Sequence, residues 1–96
     1  MHLAVPHKMS QAAAIERVKK ALDENRAQIA QYAQITEEKW DGNTLDFTVD
    51  LQGKEITGTL EVTDADYVID AKLPLLWRMF EGRIESQIAE QVKKME

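Results

Sequence analysis

The sequence predicts an α+β fold, in which a four-stranded antiparallel meander lies between an N-terminal and a C-terminal amphipathic helix. Two observations support this prediction: apolar residues recur at helical spacing near both ends of the chain, and they alternate with polar residues in the middle. Short turns between the alternating segments favour antiparallel pairing of consecutive strands. Helices at the two ends and strands between them are typical of the α+β class. The 96 residues are the size of one domain, residues 1–96.

The first third of the chain predicts a long helix preceded by an optional edge strand. Leu3 and Val5 occupy alternate positions of a short segment that Pro6 closes. Ser10 is the expected N-cap, because its hydroxyl can accept a hydrogen bond from an amide of the first turn. The helix is expected to continue to about Tyr32. Its apolar side is marked by Ile15, Val18, Leu22 and Ile29.

The middle of the chain predicts four strands. The clearest is Thr44 to Leu51, in which polar and apolar residues alternate strictly, so one face should be buried and the other wet. Ile56 to Thr63 and Tyr67 to Leu73 continue the alternation, and Gln34 to Trp40 is a weaker strand before them. Turn residues separate the four segments: Asp41-Gly42-Asn43, Gln52-Gly53-Lys54 and Asp64-Ala65-Asp66.

The segment after the last strand is the most apolar part of the chain. Pro74 ends the strand, and a second helix follows, marked at spacings of three and four by Trp77, Phe80, Ile84, Ile88, Val92 and Met95. Leu75, Leu76 and Met79 lie off this stripe, so they form a candidate interaction patch on the surface. Trp77 and Phe80 are expected to lean toward the core.

Composition and charge exclude several classes of function. The net charge of −5 opposes phosphate backbones, so nucleic-acid binding is not expected. The chain has no cysteine, which removes disulfides and thiolate chemistry. It contains neither a signal-peptide pattern nor an apolar run of about 20 residues. We therefore expect a cytoplasmic protein without integral membrane association.

The sequence contains no recognisable catalytic, cofactor-binding or metal-binding constellation. His2 and His7 are the only histidines, whereas a zinc site needs about three or four ligands. His7 is expected to cap a backbone group or to lie on the surface. Ser10 with His7 is the one nearby nucleophile–base pair, and Ser10 is better explained as a helix cap. The chain is therefore expected to be non-enzymatic.

The order of several short motifs resembles a known family. These motifs are Val5-Pro6-His7, Trp40-Asp41-Gly42-Asn43, Gly58-Thr59-Leu60-Glu61-Val62, Leu73-Pro74 and Gly82-Arg83-Ile84-Glu85. Together they resemble the putative polyhydroxyalkanoic acid system protein family, over nearly the whole chain. The family is named for genes that lie near those of polyester storage-granule synthesis and use. The layout is also similar to a reduced helix-grip domain, in which a long C-terminal helix lies across an antiparallel sheet.

Three functional hypotheses follow, the first from the family resemblance, the second from the helix-grip likeness and the third from the pairing of Ser10 with His7. The first is an accessory protein that docks on a polyhydroxyalkanoate granule, or on a granule-bound protein, through the patch at Leu75, Leu76 and Met79. The second is a carrier of a small hydrophobic ligand, an acyl chain held between the second helix and the sheet. The third is a hydroxyacyl-ester hydrolase. A homodimer is compatible with all three, through the apolar helix start or a sheet edge.

Overall fold

The computed structural model describes residues 1–73 and 75–94, which form two α-helices and a five-stranded antiparallel sheet. The strands are β1 (His2–Pro6), β2 (Gln34–Asp41), β3 (Thr44–Leu51), β4 (Lys54–Val62) and β5 (Asp66–Lys72). The helices are α1 (Gln11–Ile29) and α2 (Glu81–Lys94), and a 3₁₀ segment, Leu75–Phe80, precedes α2. The α+β class is confirmed. The sheet has a fifth strand because the optional N-terminal strand forms.

The strands pair in the order β1-β5-β4-β3-β2. The first strand joins the far edge of the sheet, where Leu3 lies opposite Ile69 and Val5 opposite Tyr67. Each of the other pairs joins strands that are consecutive in sequence. The turn between β3 and β4 is tight, with Gln52 at φ 53° and Gly53 at φ 82°. Two successive residues with positive φ match the right-handed twist of a hairpin.

Helix α1 begins at its predicted cap but ends earlier than predicted. The Ser10 hydroxyl accepts a hydrogen bond from the Ala13 amide at 3.2 Å. The last regular residue is Ile29 rather than Tyr32. At that end the Tyr32 amide donates to the carbonyl of Ile29, three residues earlier, at 2.9 Å. This spacing belongs to a 3₁₀ turn, which is a common way for a helix to close.

The core lies between α1 and one face of the sheet. Ala14 and Val18 of α1 are buried against Val62 and Tyr67 of the sheet. Val92 of α2 packs against the same cluster, so both helices cover the same face. Unlike α1, α2 has no fully buried residue among its described side chains. The second helix therefore buries its described side chains less completely than the first.

His7 connects the β1–α1 junction to the turn between β4 and β5. Its Nε2 lies 2.8 Å from the carbonyl oxygen of Thr63, and its Nδ1 accepts from the Met9 amide at 3.1 Å. The side chain is buried, and its ring lies 4.9 Å from that of Tyr67. Because Nδ1 accepts a hydrogen bond, Nε2 carries the proton that is donated to Thr63. The prediction that His7 caps a backbone group is confirmed.

The C-terminal helix also differs from its prediction. Residues 75–80 form a 3₁₀ segment, and the α-helix begins only at Glu81. The spacing of three between Trp77 and Phe80 suits a 3₁₀ turn as well as an α-helix, so the sequence pattern does not separate the two. The start of α2 is tied to the sheet, because the Met1 α-ammonium lies 3.0 Å from the Glu81 carboxylate and donates to the Ala71 carbonyl at 2.7 Å. Met95 lies outside the described residues.

Candidate functional site

An apolar groove of about 300 Å³ lies between the sheet and the two helices. The sheet side is formed by four strands, β2 to β5, and includes the apolar side chains of Ile35, Phe47, Val49, Leu60 and Ile69. The helix side is formed by Leu22, Ile29 and Ile88. The described residues that line the groove present no polar surface to it. Such a surface favours hydrocarbon over water, and this volume lies at the lower end of the range for ligand pockets.

The groove adjoins a wider gap of about 590 Å³ between α1 and α2. The two spaces share Val18, Leu22, Ile29, Leu60, Ile69 and Ile88 as lining residues. Four neutral amide side chains border the gap, two from each helix: Asn25, Gln28, Gln87 and Gln91. None of the described residues that line the gap carries a charged side chain. The apolar groove therefore continues into a gap with an uncharged polar border.

A bulge in β2 decides which side chains face the groove. Ile35 lies opposite Val49, but the pairing shifts at Thr36, so that Glu38 lies opposite Phe47. Ile35 and Trp40 are five residues apart and would point to opposite faces of a regular strand. The extra residue brings both to the helix side, and Glu38 with them. The bulge thus places a carboxylate beside an otherwise apolar groove.

Glu38 is held there by Arg26 of α1. The guanidinium donates from Nη1 to Oε1 at 2.9 Å and from Nη2 to Oε2 at 2.8 Å, a bidentate pair. Its Nε donates to the carboxylate of Asp23 at 2.9 Å. The hydrogen bonds from Arg26 lower the pKa of Glu38, and those to Glu38 and then Asp23 raise the pKa of Arg26. One cation therefore serves two carboxylates, and the cluster carries a net charge of −1.

The predicted interaction patch is described at one of its three residues. Met79 is 84% exposed, and its neighbour Phe80 is 54% exposed. The side chains of Leu75 and Leu76 lie outside the described part of the structure. The expectation that Phe80 leans toward the core is wrong, because the helix that packs on the sheet begins only at Glu81. Trp77 is half-buried.

The two histidines and Ser10 are engaged in contacts with other parts of the fold. Both ring nitrogens of His7 contact backbone groups, and the Ser10 hydroxyl accepts from the first turn of α1. His2 pairs with Asp70 at the exposed edge of the sheet. Within the described residues, no three His, Asp or Glu side chains are grouped as metal ligands would be. None of the helices formed by these residues is long and apolar enough to cross a membrane.

Sequence reasoning did not find the Arg26–Glu38 cluster or the groove beside it. The sequence of β2 did contain a signal for the cluster. Ile35 and Trp40 are apolar but five positions apart, so both can face the core only if the strand contains a bulge. The groove itself has no sequence signal, since its residues alternate or recur like those of a filled core. Only the separation of α1 from α2 leaves the space open.

These features define a small α+β protein in which two helices cover one face of a five-stranded antiparallel sheet and leave an apolar groove beneath them. The chain belongs to the family described as putative polyhydroxyalkanoic acid system protein, whose model matches residues 1–95. The resemblance found in the motifs is thereby confirmed. No curated protein and no solved structure matches the chain.

Proposed function

We propose that this protein is a non-enzymatic accessory protein of polyhydroxyalkanoate metabolism, which acts in the cytoplasm and docks on the storage granule or on a granule-bound protein. The observation that carries the proposal is the exposed apolar corner at Met79 and Phe80, in a chain that belongs to a polyhydroxyalkanoic acid system family. Leu75 and Leu76 belong to the same proposed patch. The backbone hydrogen bonds of His7 and Ser10 support a non-enzymatic role.

The energetics suit reversible docking. Burying one large apolar side chain contributes about 1.5–3 kcal/mol. Two to four such side chains would contribute several kcal/mol, from which the costs of association are subtracted. The acidic remainder of the chain, with its net charge of −5, would keep the protein in solution when it is not docked. A weak, exchangeable attachment is therefore expected, not a permanent anchor.

Co-sedimentation with isolated granules tests this proposal. Met79→Glu places a charge in the corner and is expected to reduce the bound fraction at least fivefold, and Leu76→Glu tests the neighbouring part of the patch. Tyr32→Glu is the matched control. Tyr32 is another large side chain, 66% exposed, and it lies just after the end of α1, outside the segment Leu75–Phe80 that contains the patch. Equal binding of Met79→Glu and wild type, with both proteins folded by circular dichroism, would exclude this corner as the docking surface.

The same assay separates the two docking partners. Binding to protein-stripped granules would indicate contact with the polyester surface, whereas binding to native granules alone would indicate a granule-bound protein. If wild-type protein binds neither preparation, physical docking is refuted, and the family's connection to granules must be sought in a soluble partner.

The groove favours a second candidate function, a carrier of an aliphatic chain. This corresponds to the helix-grip interpretation, in which the C-terminal helix covers a ligand on the sheet. The supporting observation is a space of about 300 Å³ whose lining is apolar. Titration of methyl decanoate into methyl-labelled protein tests it. Saturable shifts at Ile29, Ile69 and Ile88 would support a carrier, and unchanged spectra would remove this candidate while leaving the docking proposal intact.

A homodimer remains a proposal beside both candidates. The β2 edge is poorly suited to pairing with a second sheet, because it carries a bulge and the charged residues Glu37, Glu38 and Lys39. The exposed corner at Met79 and Phe80 is the more suitable contact. Sedimentation equilibrium of wild type beside Met79→Glu tests it: a dimer that the substitution dissociates would support the proposal, and a wild-type monomer at high concentration would refute it.

A further inference from the structure

We infer that the groove selects an aliphatic chain with an uncharged head group, such as an ester, and discriminates against the free carboxylate of the same chain. This inference rests on the carrier candidate and names the chemical class of its ligand. It is carried by three observations: the size and lining of the groove, the state of Arg26 at its border, and the uncharged side chains around the gap.

The size of the groove sets the length of the chain. A methylene group occupies about the same space as a water molecule, about 30 Å³, so the groove of about 300 Å³ holds roughly ten such groups. A chain of this length would contact the sheet at Phe47 and Leu60 and the helices at Ile29 and Ile88. These contacts are apolar, so they bind the chain without distinguishing one head group from another.

The charged border of the groove opposes a carboxylate. Glu38 carries the only ionisable side chain among the described residues that line the groove, and the α-ammonium of Met1, which also lines it, is already engaged by the Glu81 carboxylate and the Ala71 carbonyl. Its side chain is 24% exposed, and both of its oxygens are held by Arg26. The guanidinium also serves Asp23, so two negative charges already surround the one cation. A ligand carboxylate near this cluster would add a third negative charge to one cation, and like charges repel each other.

The opposite border offers no cation either. The gap between the helices is bordered by the amides of Asn25, Gln28, Gln87 and Gln91, and no charged side chain among the described residues lines it. Amides donate and accept hydrogen bonds without net charge, which suits an ester carbonyl or a hydroxyl. The head group therefore meets neutral amides, a cluster with excess negative charge, or the α-ammonium of Met1, whose charge Glu81 already balances. None of these places offers a free cation, so all three favour an uncharged head.

The first measurement compares two probes that differ only in the head group. Methyl decanoate and sodium decanoate are titrated below their aggregation limits, at pH 7.5, into wild-type protein whose Ile, Leu and Val methyl groups are labelled for nuclear magnetic resonance. We expect the ester to bind with a Kd at least tenfold lower than that of the acid, with shifts centred on Ile29, Ile69 and Ile88. Equal or tighter binding of decanoate would overturn the inference while leaving the carrier candidate in place. Binding of neither probe would overturn both.

Two variants with the same change of charge test the cause of the selection. Glu38→Gln removes the carboxylate of a residue that lines the groove, whereas Asp23→Asn removes one that contacts the same guanidinium from an exposed position outside the groove. We expect Glu38→Gln to strengthen decanoate binding at least threefold and to leave methyl decanoate within twofold of wild type. Asp23→Asn should strengthen decanoate binding by less than Glu38→Gln does, because this carboxylate is 70% exposed and its charge is better screened by water. The inference fails if Glu38→Gln does not strengthen decanoate binding, or if both variants strengthen it equally.

Discussion

Gly58 lies in β4 between Phe47 of β3 and Ala71 of β5, and its replacement by alanine is expected to destabilise the fold. An ideal Cβ at this position would lie 2.5 Å from the carbonyl oxygen of Asp70, 2.8 Å from Phe47 Cζ and 3.0 Å from Ala71 Cα. Two of these atoms belong to the backbone of β5, which is fixed by its pairing with β4. The Phe47 ring can move more easily, and since it also lines the groove, its displacement would change the shape of the groove.

The expected magnitude follows from two opposing contributions. Forcing an extra methyl group into a packed site costs about 1–3 kcal/mol. Replacing glycine lowers the entropy of the unfolded chain, which recovers about 0.4–1 kcal/mol. The net loss of unfolding free energy for Gly58→Ala is therefore about 1–2 kcal/mol, or a fall in Tm of about 5–15 °C for a domain of this size.

Urea denaturation at constant pH measures this change as a lower midpoint with an unchanged slope. Gly82→Ala is the control, because a Cβ at Gly82, in the first turn of α2, meets nothing within 4 Å. That variant should be more stable than wild type, by up to about 1 kcal/mol, since alanine is the better helix former. A Gly58→Ala protein as stable as wild type would refute the packing argument. It would show that the atoms around Gly58 can move apart at negligible cost in free energy.

Three further predictions concern the rest of the fold. His7→Ala should lose about 2–4 kcal/mol of unfolding free energy, because two backbone groups lose their partner in a buried site. Thermal denaturation measures this loss. The control is His2→Ala, which breaks only an exposed pair and should change the unfolding free energy by less than about 0.5 kcal/mol. Because Arg26 lowers the pKa of folded Glu38, their pair stabilises the protein above the unfolded pKa of about 4.3 and loses this effect as pH falls through the lower folded pKa. Glu38→Gln should thus be less stable than wild type by up to about 1 kcal/mol at pH 6 and should approach wild type near pH 3; a difference that is constant with pH would contradict this. Finally, the amides of α2 should exchange with solvent faster than those of β3 to β5, since α2 buries no described side chain fully; equal protection would show that α2 is docked as firmly as the sheet.

Local patterns in the sequence were sufficient to predict most of the elements. Strict alternation predicted β3 at Thr44–Leu51, with the bounds that the structure has. A hydroxyl before an Ala-rich segment predicted the cap at Ser10, and the isolated glycine-containing turns predicted the hairpins. These predictions succeed because the relevant interactions lie within a few residues along the chain. The candidate patch was chosen for its apolar composition, and of its residues Met79 is exposed as expected.

What the sequence did not determine depends on contacts between distant residues. The optional first strand forms because it finds the free edge of β5, where Leu3 pairs with a residue 66 positions later. The bulge at Thr36 depends on contacts of β2 with both β3 and α1. It allows Ile35 and Trp40 to face the helices, and it brings Glu38 to Arg26 of α1. The groove exists because α1 and α2 cover the same face without closing the space between them. Spacing along the chain fixes which side of a helix or strand is apolar, whereas the distance between two packed elements depends on the packing of all their side chains together, and it is this distance that leaves room for a ligand.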